Sequence, residues 1–215
     1  MFSKDNTIRR INGMAGPLTA ALAATLFAVP ALAATTYTSV STGGDWQTNA
    51  TWGATSTSYP GENEIGDTAN ISSGSPVTLG GTISNDLGYI NIAAGGTLEL
   101  NSKASLSTSA TLEVGNSNTS SGVANLDIAS GTFNFYTLND GGTSEGLATQ
   151  SGGNITIGGG GFYGGDNHTN NSAYTITGGT LTVTGYYKTG NSGTFSLNVG
   201  GGLAAALSLC KKPLI

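Results

Sequence analysis

The chain has 215 residues, among them 35 glycines and one cysteine, with only 9% charged residues and a formal net charge of −5. That balance excludes a basic nucleic-acid footprint and a polybasic membrane-surface patch. A lone cysteine, Cys210, excludes an intrachain disulfide framework and a cysteine-based metal site.

The N-terminus reads as a secretory signal. Lys4, Arg9 and Arg10 precede a mostly apolar stretch from Met14 to Pro30, and Ala31-Leu32-Ala33 supplies a small–x–small cleavage pattern. Residues 1–33 are therefore expected to direct export to the cell surface, the extracellular space or the periplasm. Gly16, Pro17, Thr19 and Thr25 interrupt the apolar run, which is too weak for a membrane span. Ile11-Asn12-Gly13 after Arg9-Arg10 is a poor fit to a twin-arginine signal. Beyond Ala33 there is no arginine, and 4 lysines face 11 acids, a net charge of −7 (4 − 11).

Residues 34–79 show no glycine-turn repeat and are expected to form an N-terminal cap and first coils. Terminal units of a stacked array are atypical because they cover an open core end. From Gly80 a pattern recurs. It is clearest in Gly95-Gly96-Thr97-Leu98-Glu99-Leu100, Ser130-Gly131-Thr132-Phe133-Asn134-Phe135, Gly152-Gly153-Asn154-Ile155-Thr156-Ile157, Gly178-Gly179-Thr180-Leu181-Thr182-Val183 and Ser192-Gly193-Thr194-Phe195-Ser196-Leu197. Each is a turn feeding a short apolar–polar–apolar strand. Period-two alternation puts Leu98 and Leu100 inward and Glu99 outward. Strands this short are stable only when stacked. The fold class expected over residues 80–200 is an all-β, parallel β-solenoid of about six coils, at roughly 20 residues per coil. Two stretches interrupt the alternation, 138–153 and 158–172, and read as loops and as the expected contact points. Residues 201–215 form an atypical apolar tail, open to two readings: a short capping helix or the end left by a truncation. The tail also leads us to expect self-association through the solenoid end, with Cys210 available for a disulfide-linked dimer.

The opening Trp46, Trp52, Pro60, Gly66-Asp67-Thr68-Ala69 and Val77-Thr78-Leu79, followed by the Gly-Gly-Thr-Leu units, resembles bacterial exported β-strand-repeat proteins. That group includes autotransporter passenger regions and proteins with a PEP-type sorting segment. The resemblance covers residues 36–200 and implies a right-handed parallel β-helix at the cell surface. The tail departs from the group: it has no Pro-Glu-Pro segment, translocator barrel or wall-anchor motif.

The search for chemistry yields little. His168 is the only histidine and lies in a polar stretch with Asp166. Gly161-Phe162-Tyr163-Gly164-Gly165-Asp166 approaches one calcium-binding nonapeptide but departs at Phe162 and His168, and such sites need consecutive copies. Glu62, Glu64 and Asp67, and separately Asp140 and Glu145, are close enough in sequence to suggest paired carboxylates for glycoside hydrolysis or calcium. Solvated loop acids are the simpler reading. Gly158-Gly159-Gly160-Gly161 lacks the lysine and hydroxyl of a phosphate loop. No catalytic set, cofactor motif or metal site follows, and the expectation is a non-enzymatic protein. Trp46, Trp52, Tyr59, Phe162 and Tyr163 are the candidate glycan contacts, with Tyr186 and Tyr187 as further aromatics; packing inside the solenoid is the competing reading. Thr175-Ile176-Thr177 and Thr182-Val183-Thr184 are similar to the outward threonine ranks of ice-binding solenoids, although a rank on every coil is not visible. The function expected is a structural or adhesion module with a solenoid shaft. A carbohydrate-binding or polysaccharide-degrading β-helix is the alternative. The partners expected are surface glycans or further copies of the chain, with no nucleic acid and no membrane span after residue 33.

Overall fold

The computed structural model describes residues 33–101, 103–107, 109–115, 122–165, 171–189 and 194–200, and the backbone of 205–209. These belong to one compact unit, Ala31–Ile215. Most of the proposed signal peptide, His168, Asp166 and Cys210 lie outside the described residues.

The described residues form a parallel β-solenoid with no α-helix; one 3-10 turn spans Asn49–Trp52. Every strand pairing is parallel and joins successive turns, in three ladders that the chain visits in the same order. The first ladder stacks Thr36–Thr38, Asp67–Ile71, Leu87–Ile92 and Thr111–Val114, then the second halves of Thr132–Asp140 and Asn154–Gly164, then Tyr187–Thr189. The second stacks Gly44–Asp45, Val77–Leu79, Thr97–Leu100, Val123–Ile128, Glu145–Gln150, Asn171–Ile176 and Thr194–Val199. The third stacks Thr82–Ile83, Ser105–Ser107, the first halves of the two long strands, Gly179–Val183 and Ala205–Leu209. The two long strands serve the third and first ladders in succession, and their register shifts between Phe135 and Thr137, where one ladder gives way to the next.

Six turns with a strand in each ladder follow the atypical first one. After that first turn, partners lie between 20 residues apart (87 − 67) and 28 apart (126 − 98). The turns are therefore longer than the sequence pattern suggests, and fewer fit into residues 80–200. The alternation itself is as expected: Leu98, Leu100, Phe133, Ile155, Ile157, Leu181 and Val183 are buried. Each such side chain contributes about 1.5–3 kcal/mol on burial. Parallel stacking also bonds each strand's backbone groups to the turns above and below.

Two expectations change here. The stretch 138–153 is not a loop: Glu145–Gln150 pairs without a shift to Val123–Ile128 on one side, and Leu147–Gln150 to Ala173–Ile176 on the other. It escaped the pattern because its inward positions are Gly146, Ala148 and Gln150. Within 158–172, Asn154–Gly164 continues as one strand through the glycine run. Gly161 is required there: its φ is +91°, and a Cβ would overlap the Tyr186 carbonyl of the next turn. In the tail, Ala205–Leu209 adds a strand to the third ladder rather than a helix.

Candidate functional site

The residues proposed as glycan contacts separate into two groups. Trp46 is fully buried and Trp52 nearly so, their rings crossing edge-to-face at 4.8 Å. Both indole N–H groups donate inward, Trp46 Nε1 to the Pro60 carbonyl and Trp52 Nε1 to the Trp46 carbonyl. These two side chains fill the first turn and have no face to offer a sugar. Phe162 is also buried, between Tyr174, Tyr187 and Phe195 at centroid distances of 5.5 to 5.6 Å. The glycan-contact expectation is corrected for Trp46, Trp52 and Phe162: their apolar area is spent on the core. Tyr59 is half-buried against that core.

Tyr163 differs. Strand alternation turns it outward while Phe162 turns inward, and register places it beside Lys188 of the next turn. Tyr163, Tyr186, Tyr187 and Lys188 line a half-open recess of about 320 Å³. Tyr186 and Tyr187 are exposed. Tyr187 stacks on Phe162 with an interplanar angle of 18°, so the core fixes one wall of the recess. Partial burial raises the Tyr187 hydroxyl above its ordinary pKa; like any phenol it is a hydrogen-bond donor at neutral pH. The recess thus offers apolar ring faces, phenolic hydroxyls and one cation on a rigid rung.

The candidate carboxylate pairs do not converge on one another in the same way. Asp67 is buried and accepts from the backbone N–H groups of Thr35 at 2.8 Å and Gly61 at 3.0 Å. Glu62 accepts from the Tyr59 N–H and Glu64 from the Thr35 hydroxyl. This cluster ties loop to strand. Asp140 and Glu145 separate across the wall of the solenoid: Asp140 points into the core, while Glu145 is partly exposed.

Sequence reasoning missed the polar stretch of core around Asp140. Register stacks Asp140 on Val114, which itself continues the buried column Ile71–Ile92. Both Asp140 carboxyl oxygens and the Ser144 hydroxyl lack a hydrogen-bond partner among the described residues. Burial pushes the Asp140 carboxyl well above the usual carboxylate range. Nearby, the Tyr174 hydroxyl donates to Gln150 Oε1 at 3.0 Å, and Gln150 Nε2 donates to the carbonyls of Thr180 and Gly153. Burial, and secondarily Asp140, push the Tyr174 hydroxyl upward as well. Gly146 makes room for Asp140, since a Cβ there would overlap Asp140 Oδ1. The sequence signal was present as the missing apolar residues of Gly146, Ala148 and Gln150.

No helix among the described residues is long and apolar enough to cross a membrane. No family model, curated protein or solved structure matches the chain.

Proposed function

We propose that this chain is an exported, non-enzymatic adhesion module, a β-solenoid shaft that presents the Tyr163–Tyr186–Tyr187–Lys188 recess to surface glycans. Export rests on the basic and apolar segments and the small–x–small pattern of residues 1–33. The placement among bacterial exported β-strand-repeat proteins rests on the glycine-turn repeats. The observation that carries the binding role is the convergence of three tyrosines and a lysine from adjacent turns on one recess. Aromatic faces flanked by hydrogen-bonding groups suit sugar rings, which have apolar faces and polar edges. Parallel stacking holds these groups in place, so little ordering entropy opposes binding.

A glycan array probed with the purified chain tests this reading. Binding to a defined set of sugars is expected, and it should be lost in Tyr163→Ala with an unchanged thermal melt. An array without signal, or a signal indifferent to both Tyr163→Ala and Tyr186→Ala, removes the recess from the account.

A further inference from the structure

The three ladders present different chemistry to solvent. Outward positions of the first include Tyr89, Glu113, Tyr163 and Lys188, and those of the second include Asp45, Glu99 and Asp127. Among the described residues, the outward positions of the third up to Phe135 and its register partners carry no charge and no aromatic ring; the exposed Tyr136, next along the same strand, stands at the corner where the first ladder takes over. One rank runs Thr82, Ser105, Thr132, Asn154 and Thr180, rung upon rung. The other runs Ser107, Asn134, Thr156 and Thr182. Lys103, in the turn leading into this ladder, stands outside both ranks.

The ranks are in register throughout, because the shift in the long strands lies beyond Phe135. Side chains within them are also tied together: the Thr180 hydroxyl donates to Asn154 Oδ1 at 2.7 Å. The result is a grid of hydroxyl and amide groups spaced about 4.8 Å between rungs and about 6.6 Å along each strand. The backing is rigid, since Phe133, Phe135, Ile155, Ile157, Leu181 and Val183 are all buried beneath it. The grid is invisible in linear sequence because its members lie 22 (154 − 132) to 27 (132 − 105) residues apart.

We propose that this third-ladder surface binds ice. Hydroxyl and amide groups both donate and accept, as water does, so the same group fits either orientation of a lattice water. Ordering one surface water costs about 0–2 kcal/mol, and a single hydroxyl does not repay it with affinity. A repeated grid on a fixed backing engages many lattice positions at once, and the contacts add as in any multivalent attachment. A charged side chain would impose its own hydration on the grid, and this is the one ladder whose ranks carry none. A sugar surface fits less well, because the ranks themselves hold no aromatic platform to stack on pyranose rings, and Tyr136 stands at one corner only.

The test uses the purified full chain in an ice-affinity assay, with crystal shaping and thermal hysteresis measured on the same samples. The protein should enter slowly growing ice and facet the crystals. Thr156→Lys and Thr182→Lys, which place charge in the middle of one rank, should lower uptake roughly tenfold if many contacts act together. Their circular dichroism and melting temperature should stay as in the parent. Thr149→Lys, outward on the second ladder, should leave uptake unchanged. Exclusion of the parent protein from ice, or equal loss in Thr149→Lys, overturns the proposal. Retention on microcrystalline cellulose or chitin without ice uptake also overturns it and reassigns the grid to a crystalline polysaccharide. Because this surface lies apart from Tyr163, Tyr163→Ala should leave ice uptake intact, so the two sites can fail independently.

Discussion

The N-terminal turns and the middle of the shaft each bury an aspartate, and they treat it in opposite ways. Asp67 receives two backbone N–H groups, from Thr35 and Gly61, and so ties the first strand and the preceding loop to the solenoid. Asp140 continues the buried column of Ile71, Ile92 and Val114, with neither oxygen partnered among the described residues. Equal burial therefore says nothing about whether a carboxyl stabilises. What matters is whether the backbone around it supplies donors. At the N-terminal end the loop supplies them. In the middle, Gly141 and Gly142 direct their N–H groups to the Val114 carbonyl instead.

The largest effect expected from breaking this contrast is at Asp67. Asp67→Ala leaves two N–H groups without their acceptor, at about 1–3 kcal/mol for the buried Gly61 group and less for that of the exposed Thr35. Urea denaturation should show a midpoint lowered accordingly, with an unchanged slope. A loss below about 1 kcal/mol would mean that water readily replaces the carboxylate. Next in size is Gly146→Ala, whose Cβ overlaps Asp140 Oδ1. Crowding of this kind costs about 1–3 kcal/mol. The double variant Gly146→Ala/Asp140→Ala should cost less than the sum of the singles, a coupling that a thermodynamic cycle measures.

Asp140→Asn should have the opposite sign to Asp67→Ala at neutral pH. Burial raises the folded-state pKa of Asp140, so the native state prefers its protonated form. That contribution is fully present below the unfolded value of about 3.9 and is lost as pH rises through the folded pKa. The parent should therefore lose stability relative to Asp140→Asn above that acid range, and the two should track each other below it. The gain at neutral pH is the ionisation cost alone, because the asparagine amide leaves as many buried polar atoms unpaired, and it should appear as a urea midpoint above the parent's. The smallest effect is at the surface. Asp127 is adjacent to Glu99 on an outward rank of the second ladder, and burial followed by Glu99 raises its pKa. Asp127→Asn should stabilise by less than about 0.5 kcal/mol, and salt should reduce only the part that comes from Glu99.

Much of the fold was legible because aliphatic residues recur at alternate positions beside glycine turns. Leu98-Glu99-Leu100 and Leu181-Thr182-Val183 announce both the strand and its inward face. What was not legible was any rung whose inward residues are not aliphatic. Gly146, Ala148 and Gln150 occupy the same kind of position as Leu126 and Ile128 on the turn before, yet in sequence they read as loop. Register was hidden as well, because turn length varies and nothing local fixes the offset. For that reason Tyr163 was recognisable as an aromatic candidate while its pairing with Lys188, 25 residues later (188 − 163), was not. Composition likewise could not separate Trp46 and Phe162, which fill the interior, from Tyr163, which lines a recess. That distinction depends on strand parity and on the turn above.

The contrast between the two aspartates stands on the rung that the sequence left blank, and a cross-link tests that rung directly. Thr149 of Glu145–Gln150 is the register partner of Thr175 in the next turn, and neither side chain is buried in the core. Adjacent rungs lie about 4.8 Å apart, within the range of about 4.4–6.8 Å that a disulfide spans. In a Cys210→Ser background, Thr149→Cys/Thr175→Cys should oxidise rapidly to an intramolecular disulfide. Thr149→Cys/Ala173→Cys places the second sulfur two residues out of register, about 8 Å away, and should not. Equal oxidation of the two pairs, or none in the first, would show that residues 145–150 do not form a rung and would remove the structural basis for the buried Asp140.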